Sequence, residues 1–125
     1  MELIVLKQEF SVCQVADFSQ VNLSGDYTFI AQTPAENSLV CPTSHVPPNC
    51  TRRDDGWRGF YIAGQLDFSL IGIMADLSAV LADNQIGLFA VSTYNTDYIF
   101  TKADSFQRAL TALATAGYKI LPPKF

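Results

Sequence analysis

Residues 57–121 read WRGFYIAGQLDFSLIGIMADLSAVLADNQIGLFAVSTYNTDYIFTKADSFQRALTALATAGYKIL. The changes of hydrophobic period inside this stretch decide the fold. Trp57 to Ala63 reads as a strand, and Gly64 to Phe68 as a loop. From about Ser69 to Asp83, Leu70, Ile73, Met74, Leu77, Val80 and Leu81 recur at helical spacing on one face. Asp67 or Ser69 can cap the start of that helix and Asn84 can stop it. Gly87 to Thr93 and Asp97 to Thr101 read as two strands around the turn Tyr94-Asn95-Thr96. A second helix is predicted over about Asp104 to Ala116. Asp104 and Gln107 have capping-box spacing there, Phe106, Ala109, Leu110 and Leu113 form the apolar stripe, and Gly117 follows the end. Tyr118 to Leu121 closes as a strand before Pro122-Pro123. The order β-α-β-β-α-β is the split βαβ, or ferredoxin-like, arrangement of an α+β protein.

Working outward, residues 1–56 read as a degenerate copy of the same plan. Leu3 to Leu6 is a short branched run fit for a buried strand. Phe10 to Val15 alternates, with Phe10, Val12 and Gln14 on one side and Ser11, Cys13 and Val15 on the other, and reads as a second short strand or a continuation of the first. Asp17 to Asp26 is polar and looped. Tyr27 to Gln32 and Ser38 to Cys41 read as a hairpin around Thr33-Pro34-Ala35-Glu36-Asn37. Pro42 to Gly56 shows no period and carries prolines and the cluster Arg52, Arg53, Asp54, Asp55, so it is predicted to be an exposed connection. No helix is predicted where the copy needs its second one. The predicted division is therefore 1–56 and 57–125, with two sheets side by side.

The chain has 125 residues, 49% of them hydrophobic. That is enough to bury a core without disulfides or metals. Residues 1–56 hold three basic against seven acidic side chains, and residues 57–125 five against five. Neither part offers a basic face, which argues against nucleic acid and anionic membrane as partners. Only 16% of residues are charged, consistent with apolar surface covered by a second subunit, and a homodimer is expected. Three cysteines make a poor disulfide framework. Cys41, His45 and Cys50 share one segment, but structural zinc requires four ligands. Reduced thiols and a loop histidine are the expected reading, with no metal and no cofactor. The N-terminal apolar run is too short for a signal peptide or a membrane span, so a cytoplasmic location is expected.

No P-loop, G-x-S-x-G motif or nucleophile–base pair is recognisable, so the chain is not expected to be an enzyme. Three segments stand out as binding candidates. The loop 64–72 leads into a helix start, where free N–H groups attract carboxylates or phosphates. Self-capping by Asp67 and Ser69 explains the same residues. Gly72, in the expected first turn, permits close approach of a neighbour. Ser92 to Tyr98 crosses a hairpin and carries Asp97, which suits an ammonium or guanidinium group. Ordinary turn chemistry explains it as well. Ser38-Leu39-Val40 offers strand backbone if its edge is unpaired.

The words of these segments resemble the CASTOR/ACT-like family of small tandem ACT-domain proteins. Gly56-Trp57-Arg58-Gly59, Gly64 to Ile73 and Ile86 to Ile99 carry the resemblance, which extends over residues 57–121. Thr33 to Val40 is similar to that family's T-x-E-x-S-x-V hairpin. The resemblance implies two ACT-like subdomains, the first degenerate, with an amino-acid ligand where they meet. It implies ligand contacts from Leu66, Asp67, Phe68, Ser69 and Gly72, from Ser38 and Val40 in a strand, and from Asp97. The arginine sensors of the family are longer, so their selectivity does not carry over. The expected function is a small-molecule regulatory or sensor protein. The alternative is a ligand-free protein–protein interaction module with the same fold.

Overall fold

A computed structural model describes residues 1–64 and 72–125. The chain divides into two compact units. The larger joins Met1–Lys7 to Arg58–Phe125, and the smaller is Gln8–Trp57.

In the larger unit the strands are β1 (Glu2–Val5), the last five residues of β5 (Cys50–Ile62), β6 (Phe89–Ser92), β7 (Asp97–Lys102) and β8 (Lys119–Leu121). Helices α1 (Ile73–Asp83) and α2 (Ala103–Thr115) complete the βαββαβ order. The strand order is β8–β1–β5–β7–β6. β1 lies between the first and last strands of the motif, antiparallel to β5 and parallel to β8. This is why the first seven residues belong here and not with residues 8–56 as the sequence suggested. Leu3 is fully buried, and the Arg58 guanidinium donates to the Leu6 carbonyl at 3.0 Å.

Among the described residues the core of this unit is what the helical spacing predicted, and Leu70 lies outside them. Leu77 and Leu81 of α1 are buried, as are Phe106, Ala109, Leu110 and Leu113 of α2. They pack on Leu3, Phe60, Ile62 and Ile99. Helix termini differ from expectation. Within the described residues α1 begins at Ile73, with Gly72 at the N-cap in left-handed backbone, φ 85°. Glycine adopts that conformation without the Cβ clash that penalises other residues. Gly72 therefore precedes the first turn and does not lie within it. In α2 the N-cap is Lys102 and no side chain caps it. Asp104 falls inside the first turn, where its charge complements the helix dipole, and the expected capping box is not the cap. The stop at Asn84 and the position of Gly117 after α2, with φ 105°, agree with the reading of the sequence.

The smaller unit contains β2 (Phe10–Val15), β3 (Phe29–Gln32), β4 (Asn37–Pro42), a 3-10 turn (Thr43–His45) and the first eight residues of β5. Their order is β3–β4–β2–β5. No α-helix occurs among its residues. The predicted exposed connection is corrected here, because Cys50 to Gly56 is strand. Its side chains from Thr51 to Asp55 are exposed throughout, so no alternation betrays it. Backbone pairing holds it instead, opposing Gln14 to Arg52, Cys13 to Arg53 and Val12 to Asp54, with register shifts at both ends.

Two hairpins share one geometry. In β3–β4 the Thr33 N–H donates to the Glu36 carbonyl at 2.9 Å, and the Glu36 N–H donates to the Thr33 hydroxyl at 3.1 Å. In β6–β7 the Thr93 N–H donates to the Thr96 carbonyl at 2.8 Å, and the Thr96 N–H donates to the Thr93 hydroxyl at 3.3 Å. Each hairpin joins a four-residue strand to a six-residue strand. A 3-10 turn follows β4 where α2 follows β7.

Candidate functional site

The residues singled out by sequence fall into three places. Leu66, Asp67, Phe68 and Ser69 lie outside the described residues, and so do the expected caps of α1. Gly72 and Asp97 are in the larger unit, and Ser38 and Val40 in the smaller.

Asp97 opens β7 opposite Ser92, whose hydroxyl donates to its carboxylate at 2.6 Å. The turn behind it is anchored by the Thr96 hydroxyl, which donates to the Ile62 carbonyl at 2.7 Å and is buried. The Ser92 hydroxyl thus orients the Asp97 side chain where the hairpin enters β7. Gly72 accepts from the Asp76 N–H at 2.8 Å, the first hydrogen bond of α1. Nearby, Ile73, Asp76 and Val80 of α1 line a cavity of about 410 Å³ with Met1, Ala116, Gly117 and Tyr118. Burial and then the Asp76 charge push the Tyr118 phenol upward.

Ser38 and Val40 sit on β4, which pairs with β2 on one side and β3 on the other. Both edges of β4 are therefore occupied, and its backbone serves the ladder. What Ser38 can offer a ligand is its hydroxyl. The strand register places it beside Gln14, and Gln14 beside Arg52. A groove of about 340 Å³ runs over these strands, lined by Val12, Cys13, Gln14, Glu36, Ser38, Arg52, Arg53 and Asp54. Sequence reasoning missed its charged members because it placed residues 52–54 in a connection. The one available signal was the charge run itself, opposite the alternating run Phe10 to Val15.

Cys13, Cys41 and Cys50 are free thiols. Cys13 and Cys41 are core residues packed with Val15 and Leu39, and Cys50 packs against that cluster. Burial raises the Cys13 thiol, with Cys50 and Cys41 adding to the shift. Cys41 is pushed up to about 11, mainly by burial, while the Arg53 charge pulls part-way back. Raised thiols are poor nucleophiles, because the thiolate is the reactive form. No group of three His, Cys, Asp or Glu side chains among the described residues could hold a metal ion.

These thiols predict an alkaline loss of stability. An ordinary thiol ionises near 9.0, whereas buried Cys41 ionises near 11. Between those values the unfolded chain binds fewer protons than the folded one, so stability is complete below about pH 9 and falls as pH rises. The slope approaches ~1.4 kcal/mol per pH unit for each such thiol. Raised Tyr98 and Tyr118 act in the same direction further up. Urea midpoints measured from about pH 8.5 to 10.5 should fall, and Cys41→Val should shallow the fall. Identical slopes for the two proteins would remove Cys41 from the account.

A mixed sheet with two helices in the βαββαβ order defines a ferredoxin-like α+β fold. The ACT domain family matches residues 52–115, just over half of the chain, and the chain belongs to that family. A search of curated proteins finds no match. Among solved structures, the chain is similar to a protein from Agobacterium tumefaciens. The TM-score is 0.86 at 26% identity, over 99% of this chain and 94% of that one. It is similar in fold to the regulatory subunit of aspartate kinase from Thermus thermophilus, with a TM-score of 0.63 at 9% identity over 92% and 96% of the two chains. Clostridium acetobutylicum aspartate kinase gives a TM-score of 0.63 at 12% identity, over 88% of this chain and 33% of the kinase. No described helix is long and apolar enough to cross a membrane.

Proposed function

We propose that this protein is a regulatory ACT protein that binds an amino acid or a close chemical relative, and that it performs no catalysis of its own. Membership of the ACT family carries the reading. Fold similarity to a kinase regulatory subunit supports it. The shared geometry of the two hairpins supports the finer reading of a tandem, CASTOR-like protein whose first repeat has lost its helices. In that reading Leu66, Asp67, Phe68, Ser69 and Gly72 offer backbone or capping groups to the ligand. Asp97 offers a carboxylate, and Ser38 and Val40 belong to the binding strand. The ligand acts by favouring one assembly or conformational state over another, with a homodimer in the cytoplasm as the working form.

The test is a thermal-shift screen of the pure chain against the twenty amino acids. A ligand at a hundred times its Kd adds about 2.7 kcal/mol, which is several degrees in melting temperature for a domain of this size. One or a few amino acids should give such a shift and the rest none. A flat result across the panel would sink the amino-acid reading and leave a ligand-free interaction module.

A further inference from the structure

We propose that the groove on the smaller unit's sheet is a site for the zwitterionic head of an α-amino acid, with Arg52 taking the carboxylate and Glu36 the ammonium. The inference rests on the amino-acid reading above but seats the head group beside Ser38 on the smaller unit's sheet, not at Gly72 and Asp97.

The strand register carries the argument. Ser38 opposes Gln14 across β4 and β2, and Gln14 opposes Arg52 across β2 and β5. Opposed residues project to the same side of a sheet, and neighbouring strands lie about 4.8 Å apart. The three side chains therefore form one row of roughly 10 Å across three strands. The alternate residues Cys13, Val15, Leu39 and Cys41 build the core on the other side. The row is not part of that core, since Gln14 and Ser38 are half-buried and Arg52 is exposed.

Charge then selects the ligand. Arg53 is engaged by Asp55, Nε to Oδ1 at 3.0 Å. No described ion pair engages Arg52. Its planar guanidinium suits a carboxylate held by two parallel hydrogen bonds. Glu36 lines the same groove, and Val12 adds an apolar side chain to its lining. A fully anionic ligand such as phosphate would meet the Glu36 and Asp54 carboxylates, whereas a zwitterion satisfies both signs. The Ser38 hydroxyl and Gln14 amide can each add a hydrogen bond. A volume of about 340 Å³ leaves room for a side chain beyond the head group.

The experiment is an amide NMR titration of the intact chain with each of the twenty amino acids, repeated on Arg52→Ala, Arg52→Lys and Glu36→Gln. The amino acid that binds should shift the amides of Gln14 and Ser38. Arg52→Ala should weaken it about 10- to 100-fold, the range for losing hydrogen bonds to a charged group. Arg52→Lys should recover part of that loss, and acetate or methylamine alone should bind far more weakly. Binding that shifts only residues around Gly72 and Asp97, with an unchanged Kd in Arg52→Ala, overturns this site and leaves the amino-acid function standing. Absence of binding by any amino acid overturns both.

Discussion

Phe60→Ala should remove about 3–5 kcal/mol of stability, the range for emptying a buried aromatic site. Phe60 is completely buried in the β5 segment of the larger unit. It opposes Val5 of β1, and its ring centroid lies 6.4 Å from that of Phe106 in α2. It therefore links the inserted strand, the sheet and one helix. The Arg58 guanidinium covers the Phe106 ring at 4.8 Å, so the cavity cannot close by moving that ring without disturbing the cation–π contact as well. A domain of this kind has only about 5–15 kcal/mol in total, and the variant should be close to unfolding at physiological temperature. Urea denaturation followed by circular dichroism measures the change, with exposed Leu23→Ala as a variant expected to stay within about 0.5 kcal/mol of the parent. Equal midpoints for Phe60→Ala and Leu23→Ala would contradict this account of the core.

Gly59→Ala should also destabilise, by about 1–3 kcal/mol, although alanine in a strand is ordinarily the better residue. Two effects of opposite sign compete at this position. Replacing a strand glycine gains roughly 0.5–1 kcal/mol from the reduced freedom of the unfolded chain. Against that, a Cβ at position 59 would lie 2.7 and 2.8 Å from Cδ1 and Cε1 of Phe100, and 3.2 Å from the Ile99 carbonyl oxygen. Phe100 is fully buried and stacks on Phe89 with centroids 4.8 Å apart. Its ring has no free space to swing into, and the carbonyl is backbone, so overpacking wins. Phe100→Leu should relieve part of the clash, and the double variant should lose less than the sum of the two single ones. A Gly59→Ala protein as stable as the parent would show that the β5–β7 contact is looser than these distances require.

Legibility was high where burial is one-sided. The stripe Phe106, Ala109, Leu110 and Leu113 stood out because a helix that hides one face must repeat its apolar residues every three or four positions. All four are buried. The strand Phe10–Val15 was read at its true limits for the same reason, since Ser11, Cys13 and Val15 face a core. Cys50 to Gly56 was missed because its side chains touch solvent on both sides. A strand held by its backbone ladder and by polar side-chain bonds such as Thr51 to the Gln14 carbonyl leaves no apolar alternation in its residue types. The start of α2 differs from the sequence reading for a related reason. Asp104 has capping chemistry, but the cap position is decided by where β7 releases the chain, and that falls at Lys102.

The candidate site divides along the same line. By itself the sequence determined the residue types available for binding, including Ser38, Asp97 and the charge run at residues 52–55. It also determined the βαββαβ order, because local periodicity and turn chemistry act within a few residues of one another. Tertiary structure alone decided that Met1–Lys7 leaves its neighbours in sequence to pair with β5 and β8. It alone decided that β4 is paired on both edges, and that Arg52 stands in one row with Gln14 and Ser38. Strand register between distant segments depends on long-range hydrogen bonding and on bulges that shift the pairing by one residue. A one-residue shift moves a side chain to the opposite face of the sheet, and no local pattern in an exposed, polar strand records which register is adopted.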